Sequence, residues 1–389
     1  MSPGLPVAVI GAGTRAELGT HVPRAWPSAR VTAVADTSGA GRERAASLFP
    51  GADVFGDHRT LLAGSGVRAA LVTTPDDTHA DIAVDLLRAG VAVYLEKPLA
   101  TTLADADRVL TAAAATGTPL YVGHNLRHAA VVRTMKGVVD RGEIGEVRAV
   151  WVRHFVGHGG DYYFKDWHAD RRRTGTLLLQ KASHDLDVVH HLAGGYTRRV
   201  VGMGGLLVYG AVTDRRERPG ETMPDWFSMD NWPPAAQTGL NPVVDVEDLS
   251  MVLMGLDNGV QASYQQCHFT PDYWRNYTVI GTEGRLENFG DTAGGVVRVW
   301  DRRHEWSATG DREHPVGGGA GGHEDADLAT LAEFFAHLVE GSPTLVSPVA
   351  AREAVATGAL AAQSLRSGSV PLTIPDLPDD VVRHFTRAA

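Results

Sequence analysis

The sequence predicts an α/β protein: a doubly wound parallel sheet at the N-terminus, then a second α/β unit built on a large, mostly antiparallel sheet. Three observations point there. An apolar run from Val7 to Ile10 ends in the glycine turn Gly11-Ala12-Gly13-Thr14-Arg15-Ala16. Strand-like and helix-like segments then alternate to about residue 123. Beyond that point strand-like runs recur without the crossover helices that parallel neighbours require.

The first run reads as a buried strand feeding a helix. Gly11 permits the tight turn, Gly13 lets the backbone approach a pyrophosphate at the helix N-terminus with Thr14 and Arg15 beside it, and Ala16 leaves room for helix-sheet packing. A second strand, Val31 to Asp36, ends in a carboxylate at the spacing of a ribose partner. Thr37-Ser38 follow rather than an arginine, so NAD is favoured over NADP, with Arg42 and Arg44 carrying the NADP reading. Ala69 to Thr74 is the next strand, Thr78 to Ala89 an amphipathic helix closed by Gly90, and Val91 to Leu95 a further strand. Thr74-Pro75 and Glu96-Lys97-Pro98 follow strand carboxyl ends, where open parallel sheets bind ligands. A helix over Thr102 to Thr116 and a strand over Pro119 to Gly123 complete a doubly wound dinucleotide-binding domain, residues 1–123. In residues 124–389 the predicted strands are Val147 to Val156, Arg199 to Val208, Leu249 to Leu256, Gly259 to Cys267 and Tyr277 to Ile280. A helix is predicted from Gly175 to Leu192, with Gln180, His184, Asp187 and His191 at helical spacing and Lys181 on the side of His184.

Composition narrows the function class. The chain has 389 residues, 43% of them apolar, enough for two domains with substantial cores. A formal charge of -10 with dispersed basic residues, Arg171-Arg172-Arg173 apart, argues against a nucleic-acid partner. The single cysteine, Cys267, excludes an intramolecular disulfide and a thiolate metal cluster, and reads as a structural thiol. No apolar run reaches the roughly 20 residues of a membrane span, so a soluble cytoplasmic protein without a membrane partner is expected. Of thirty-six lysines and arginines only four are lysine, and two of them, Lys97 and Lys181, sit among chemically suggestive neighbours. An ammonium can be driven towards neutrality by burial, whereas guanidinium stays charged.

The Gly11 turn, Thr74-Pro75 with His79, Glu96-Lys97-Pro98, Arg141-Gly142-Glu143-Ile144-Gly145, His184 with Asp187, Gly281-Thr282-Glu283-Gly284 and Ser364 to Gly368 occur in an order that resembles the glucose-fructose oxidoreductase, inositol dehydrogenase and rhizopine catabolism (Gfo/Idh/MocA) family. The resemblance implies NAD as cofactor, a C-terminal sheet with one face beneath the nicotinamide, and a homodimer or homotetramer through the other. It places Lys97 near the nicotinamide and substrate hydroxyl and makes His184 the catalytic base. It adds Thr74, Pro75, His79 and Glu96 to the cofactor residues, and Asn125 is a further pocket candidate placed with them. Inositol dehydrogenases carry a carboxylate four residues before the histidine; this chain has Gln180, which turns attention to Lys181 as a group that bonds substrate or tunes His184. No metal is expected, because His184, Asp185, His190 and His191 point to several helix faces.

Tyr162, Tyr163, Trp167, His168 and Arg173 mix rings with donors, a composition suited to a carbohydrate or glycoside, including one with an anionic group. Arg127, Asp187, Tyr273 and Trp274 are further substrate candidates, and Trp226 to Pro234 reads as an insertion that covers the site or meets a neighbouring subunit. The expected function is oxidation or reduction of a secondary hydroxyl of a sugar, cyclitol or derivative. Two alternatives stand beside it: a redox-neutral NAD-dependent glycoside hydrolase, and a non-catalytic dinucleotide sensor.

Overall fold

The structure is a computed structural model, and it describes residues 4–317 and 323–387. Six strands form the first sheet: β1 (Leu5–Ile10), β2 (Ala29–Ala35), β3 (Asp53–Phe55), β4 (Ala69–Val72), β5 (Ala92–Leu95) and β6 (Leu120–Val122), in the order β3-β2-β1-β4-β5-β6. Every neighbouring pair is parallel. The strand order reverses between β1 and β4, so the turns after these strands flank the crevice where doubly wound sheets hold ligands. Local chemistry sets the intervening helices. Thr102 accepts from the Asp105 amide 3.1 Å away to start the Leu103–Thr116 helix, and Gly117 in the left-handed region ends it.

The helix after Gly13 differs from expectation. Thr14–His21 is 3-10 and only Val22–Ala25 is α-helical. Gly19 is wedged against β1 in this stretch, where an added Cβ would come within 2.7 Å of Val9 Cγ2, and Pro23 follows.

The second sheet has nine strands: β7 (Val147–Phe155), β8 (Thr197–Gly205), β9 (Leu249–Leu256), β10 (Gln261–Cys267), β11 (Trp274–Gly281), β12 (Arg285–Phe289), β13 (Val296–Trp300), β14 (Arg312–Pro315) and β15 (Leu372–Thr373), ordered β14-β13-β12-β11-β7-β10-β9-β8-β15. β7 and β10 are parallel; the other neighbours are antiparallel. β8 ends at Gly205, short of the predicted Val208.

Side-chain rows on the sheet's covered face change character along the strands. Val279, Val150, Ala262 and Met254 pair across β11, β7, β10 and β9 and are buried in the second apolar core. Two residues along, the row is Tyr277, Val152, Tyr264 and Val252, and two further it is Arg275, His154, Gln266 and Ser250. The face thus runs from oily to polar towards the end that meets the first domain's cleft.

The predicted helix over Gly175 to Leu192 is two pieces, Leu177–Gln180 and Ser183–Ala193, broken at Lys181-Ala182. Segments beyond residue 123 also return to the first domain's core. Leu331, Phe334 and Phe335 of the His323–Glu340 helix pack with Val7, Val9 and Tyr94, and Ala351 and Val355 of the Pro348–Arg366 helix join the core beneath β4 and β5. Residues distant in sequence therefore complete the N-terminal core.

Candidate functional site

A continuous cleft of about 800 Å³ runs from the first sheet to the second domain. Gly11, Gly13, Thr14, Arg15 and Asp36 line one end, and Thr74, Pro75, Glu96 and Lys97 line the middle. Tyr162, Tyr163, Trp167, His168, Arg173 and Gln180 close the other, with Trp226 of the insertion. Trp226 is fixed over the cleft by donating from Nε1 to the Asp161 carbonyl, 2.8 Å away.

Lys97 lies at the junction. Its Nζ donates to the Gln180 carbonyl at 2.7 Å, the oxygen that the helix break releases from its usual partner, the His184 amide. Burial lowers the Lys97 pKa, although the Asp76 and Glu96 carboxylates pull the other way. Asp76, on the turn after β4, is buried and raised by the same desolvation, opposed by His79, Lys97 and His168. Both members of this neighbouring pair are pushed towards their neutral forms, which suits proton exchange. The sequence reading passed over Asp76, although it directly follows Thr74-Pro75.

His184 is 8% exposed and held well below the ordinary histidine pKa, by burial first and then by Lys97, His124, Arg275 and Lys181. It is therefore neutral near pH 7, and its Nδ1 has no partner among the described residues. His124 stands edge-on to it at 6.2 Å.

Several expected ligands are structural instead. Arg127 and Asp187 form a bidentate buried pair, Nε to Oδ2 and Nη2 to Oδ1 both at 2.7 Å, which leaves neither free for substrate. His79 places Nδ1 2.7 Å from the Pro98 carbonyl and Nε2 2.9 Å from that of Thr74, so it ties the two cleft turns together rather than touching cofactor. Asn125 donates to Asp327 at 2.7 Å behind the cleft, and Asp327 also pairs with Arg15. Trp274 sits on the opposite sheet face from Arg275, away from the site. Tyr273 stays at the site's edge, edge-on to His154 at 5.7 Å.

Lys181 makes no hydrogen bond among the described residues, and its ammonium lies 5.8 Å from the centroid of the Tyr163 ring. Asp185, adjacent to His184 in sequence, is wholly buried and accepts from Tyr264 at 3.1 Å and from Tyr277; His154 Nδ1 lies 3.0 Å away and Arg275 Nε 3.1 Å. Asp185 is thus turned away from His190, which bonds Thr197 at 2.8 Å. Among the described residues no three such side chains converge as metal ligands.

Residues 5–124 match the model of an oxidoreductase family with an NAD-binding Rossmann fold, and residues 132–287 match the Gfo/Idh/MocA C-terminal domain. The chain belongs to the Gfo/Idh/MocA oxidoreductase family. An inositol 2-dehydrogenase of Gluconacetobacter diazotrophicus is 33% identical over 194 residues, covering 49% of this chain and 55% of that protein. A 1-carboxy-3-chloro-3,4-dihydroxycyclohexa-1,5-diene dehydrogenase of Comamonas testosteroni is 32% identical over 181 residues, 46% of this chain and 44% of its own. The chain spans about half the length of these curated relatives. A solved levoglucosan dehydrogenase, in complex with NADH and levoglucosan, shares the fold with a TM-score of 0.77 over 96% of this chain and 100% of that one, at 18% identity.

This Gfo/Idh/MocA chain fits the dinucleotide its fold is built for. Nothing stands within 4 Å of where a Gly13 Cβ would be, whereas a Cβ on Gly11 would meet Thr74 Cγ2 at 2.8 Å. The turn is thus packed on one side and open on the other, as a pyrophosphate cradle requires. Asp36 is fixed by the Ala12 amide and Ser38, each at 2.8 Å, and Gly41 leaves room for its carboxylate, which a Cβ there would approach to 2.2 Å. Arg42 donates to the Asp36 and Thr37 carbonyls at 2.9 Å, and Arg44 to that of Ala12 at 2.8 Å, so both arginines are engaged with backbone. No helix among the described residues is long and apolar enough to cross a membrane.

Proposed function

We propose that this protein is an NAD-linked dehydrogenase that interconverts a secondary hydroxyl and a ketone on a sugar, cyclitol or related derivative. The observation that carries the reading is the position of Lys97: an ammonium desolvated at the junction of nucleotide cradle and second domain, held by the Gln180 carbonyl and electrostatically coupled to His184. NAD, when bound along Gly11, Gly13 and Asp36, supplies the hydride acceptor. Lys97 donates to the substrate oxygen and stabilises the negative charge that grows there. Neutral His184, with an unpartnered Nδ1, accepts the hydroxyl proton. Asp76 beside Lys97 is placed to exchange a proton with that ammonium at the cleft. Tyr163, Trp167 and Trp226 supply flat apolar surface against a ring. The named activities of the relatives, on inositol and on a dihydroxylated carbocycle, are of the same kind.

A redox-neutral glycosidase is the second reading. It is favoured by Lys181, whose ammonium burial and neighbouring cations push down to about 7, a further acid-base group for elimination and water addition. A homodimer or homotetramer is proposed from the resemblance and from the large apolar side chains on the sheet's outer face, and a cytoplasmic location from the single cysteine.

Lys97→Met tests the first reading. Turnover should fall by about two to four orders of magnitude, while NADH, followed by its fluorescence, still binds. Turnover near that of the wild type would remove Lys97 from the chemistry.

A further inference from the structure

The polar end of the nine-stranded sheet brings two cations, Arg275 and Lys181, towards one carboxylate, Asp185. Arg275 is 4% exposed; its guanidinium meets Asp185, Nε to Oδ1 at 3.1 Å and off the hydrogen-bond direction, and that carboxylate holds its pKa above the usual arginine value despite burial. Its terminal nitrogens donate to none of the described residues. Across the site Lys181, on the helix break, has no acceptor among the described residues, and its ammonium lies 5.8 Å from the centroid of the Tyr163 ring. Asp185, the carboxylate beside them, is shared among Arg275, Tyr264, Tyr277 and His154. Asp291 lies at the solvent edge and accepts from Tyr273 at 2.5 Å.

Unpaired polar atoms surround these cations. His154 Nε2, Gln266 Nε2 and both ring nitrogens of His268 are buried without partners. His154 is held neutral, at about 3, by burial and by Arg275. With its Nδ1 proton directed at Asp185, its Nε2 is left as an acceptor. Buried donors and acceptors are costly unless something meets them, so these are positions where a ligand would gain hydrogen bonds that the protein does not supply.

We infer that Arg275 and Lys181 bind a single negative charge on the substrate, a carboxylate or similar monoanionic oxyanion carried by the sugar or cyclitol, with His154 and Gln266 receiving its hydroxyls. This rests on the dehydrogenase reading for the ring at Lys97, and it adds what that ring carries. Arg275 supplies two parallel donors suited to a carboxylate. Lys181 supplies a point charge whose lowered pKa recovers when an anion arrives. Arg275, His154 and Gln266 lie in one row across β11, β7 and β10, so the sheet fixes their spacing.

The test titrates the NADH-loaded protein calorimetrically with glucuronate, galacturonate and gluconate, beside glucose, galactose and their phosphates. At least one carboxylate should bind about ten-fold or more tightly than its neutral parent, a gain of order 1.4 kcal/mol. Lys181→Met should erase that preference, read as the ratio of carboxylate to neutral-parent affinity within the variant; Arg275→Gln should do the same where it folds. Equal affinity for charged and neutral partners, no binding by any anionic sugar, or a preference untouched by Lys181→Met overturns the inference. Stronger binding of the phosphates would assign a dianion instead and overturn it as stated. A parallel turnover assay of the NAD-loaded protein with the same sugars, followed as NADH, separates the two readings. NADH formed from neutral sugars without an anion preference removes the anion site alone, whereas Lys181-dependent carboxylate binding without hydride transfer removes the dehydrogenase alone.

Discussion

The cost of burying charge explains which residues of this protein are chemistry and which are scaffold. Asp187 and Arg127 are both titratable and deep, but each answers the other in a two-bond pair, and Arg127 also holds the Leu345 carbonyl at 2.7 Å. The Asp187 carboxyl is depressed to about 2, with Arg127 the leading favourable cause. Its folded pKa therefore lies below the unfolded value, so the stability it contributes is complete above the ordinary carboxylate range and is lost as pH falls towards 2. Arg127→Met strands the charge and should destabilise the protein by about 3–5 kcal/mol at neutral pH, read from urea unfolding; the double change with Asp187→Asn should recover part of that loss. A near-zero effect of Arg127→Met would mean that the pair is not the anchor described. Lys97 was legible in the sequence because its motif is local and lysine is rare here. The roles of Asp187 and Arg127 were not, since the two meet across 60 residues.

At the level of elements, the break at Lys181-Ala182 frees the Gln180 carbonyl that receives Lys97. Nothing in Gln180-Lys181-Ala182-Ser183 is a helix breaker, so periodicity alone extended one helix through it. The short Leu177–Gln180 piece is seated on the Pro348–Arg366 helix at Gly358, where an added Cβ would stand 2.5 Å from the Leu178 carbonyl oxygen. Gly358→Ala must displace that backbone. A loss of about 1–3 kcal/mol is expected, together with a lower kcat because the Lys97 acceptor moves. Unchanged kcat in a destabilised variant would show that the carbonyl does not position Lys97. The polar row of Arg275, His154 and Gln266 escaped the sequence reading for a related reason. Alternation identified the β7 and β10 strands, but which residues stand side by side depends on the register between β7, β10 and β11.

Across the whole molecule, the two-sheet plan was readable from the glycine turn, the strand-helix alternation and the later strands that lack crossovers. The return of the His323–Glu340 and Pro348–Arg366 helices to the first core was not, because no local pattern names a packing partner 300 residues away. The second sheet has a covered face that forms the site and an open one on which Trp151, Met203 and Leu253 are each more than half exposed. Side chains of that size rarely stay in water on one sheet face. Light scattering should therefore report a dimer or larger, and Leu253→Lys should shift it towards monomer; a monomeric wild type would refute the proposed assembly. The most direct test of the account is to supply catalytic NAD with free sugars, cyclitols and aryl glycosides, following NADH and aglycone together in wild type and Lys97→Met. The account predicts NADH in step with oxidation of a free polyol, abolished in the variant. Aglycone release without net NADH would contradict the dehydrogenase and establish the redox-neutral glycosidase in its place.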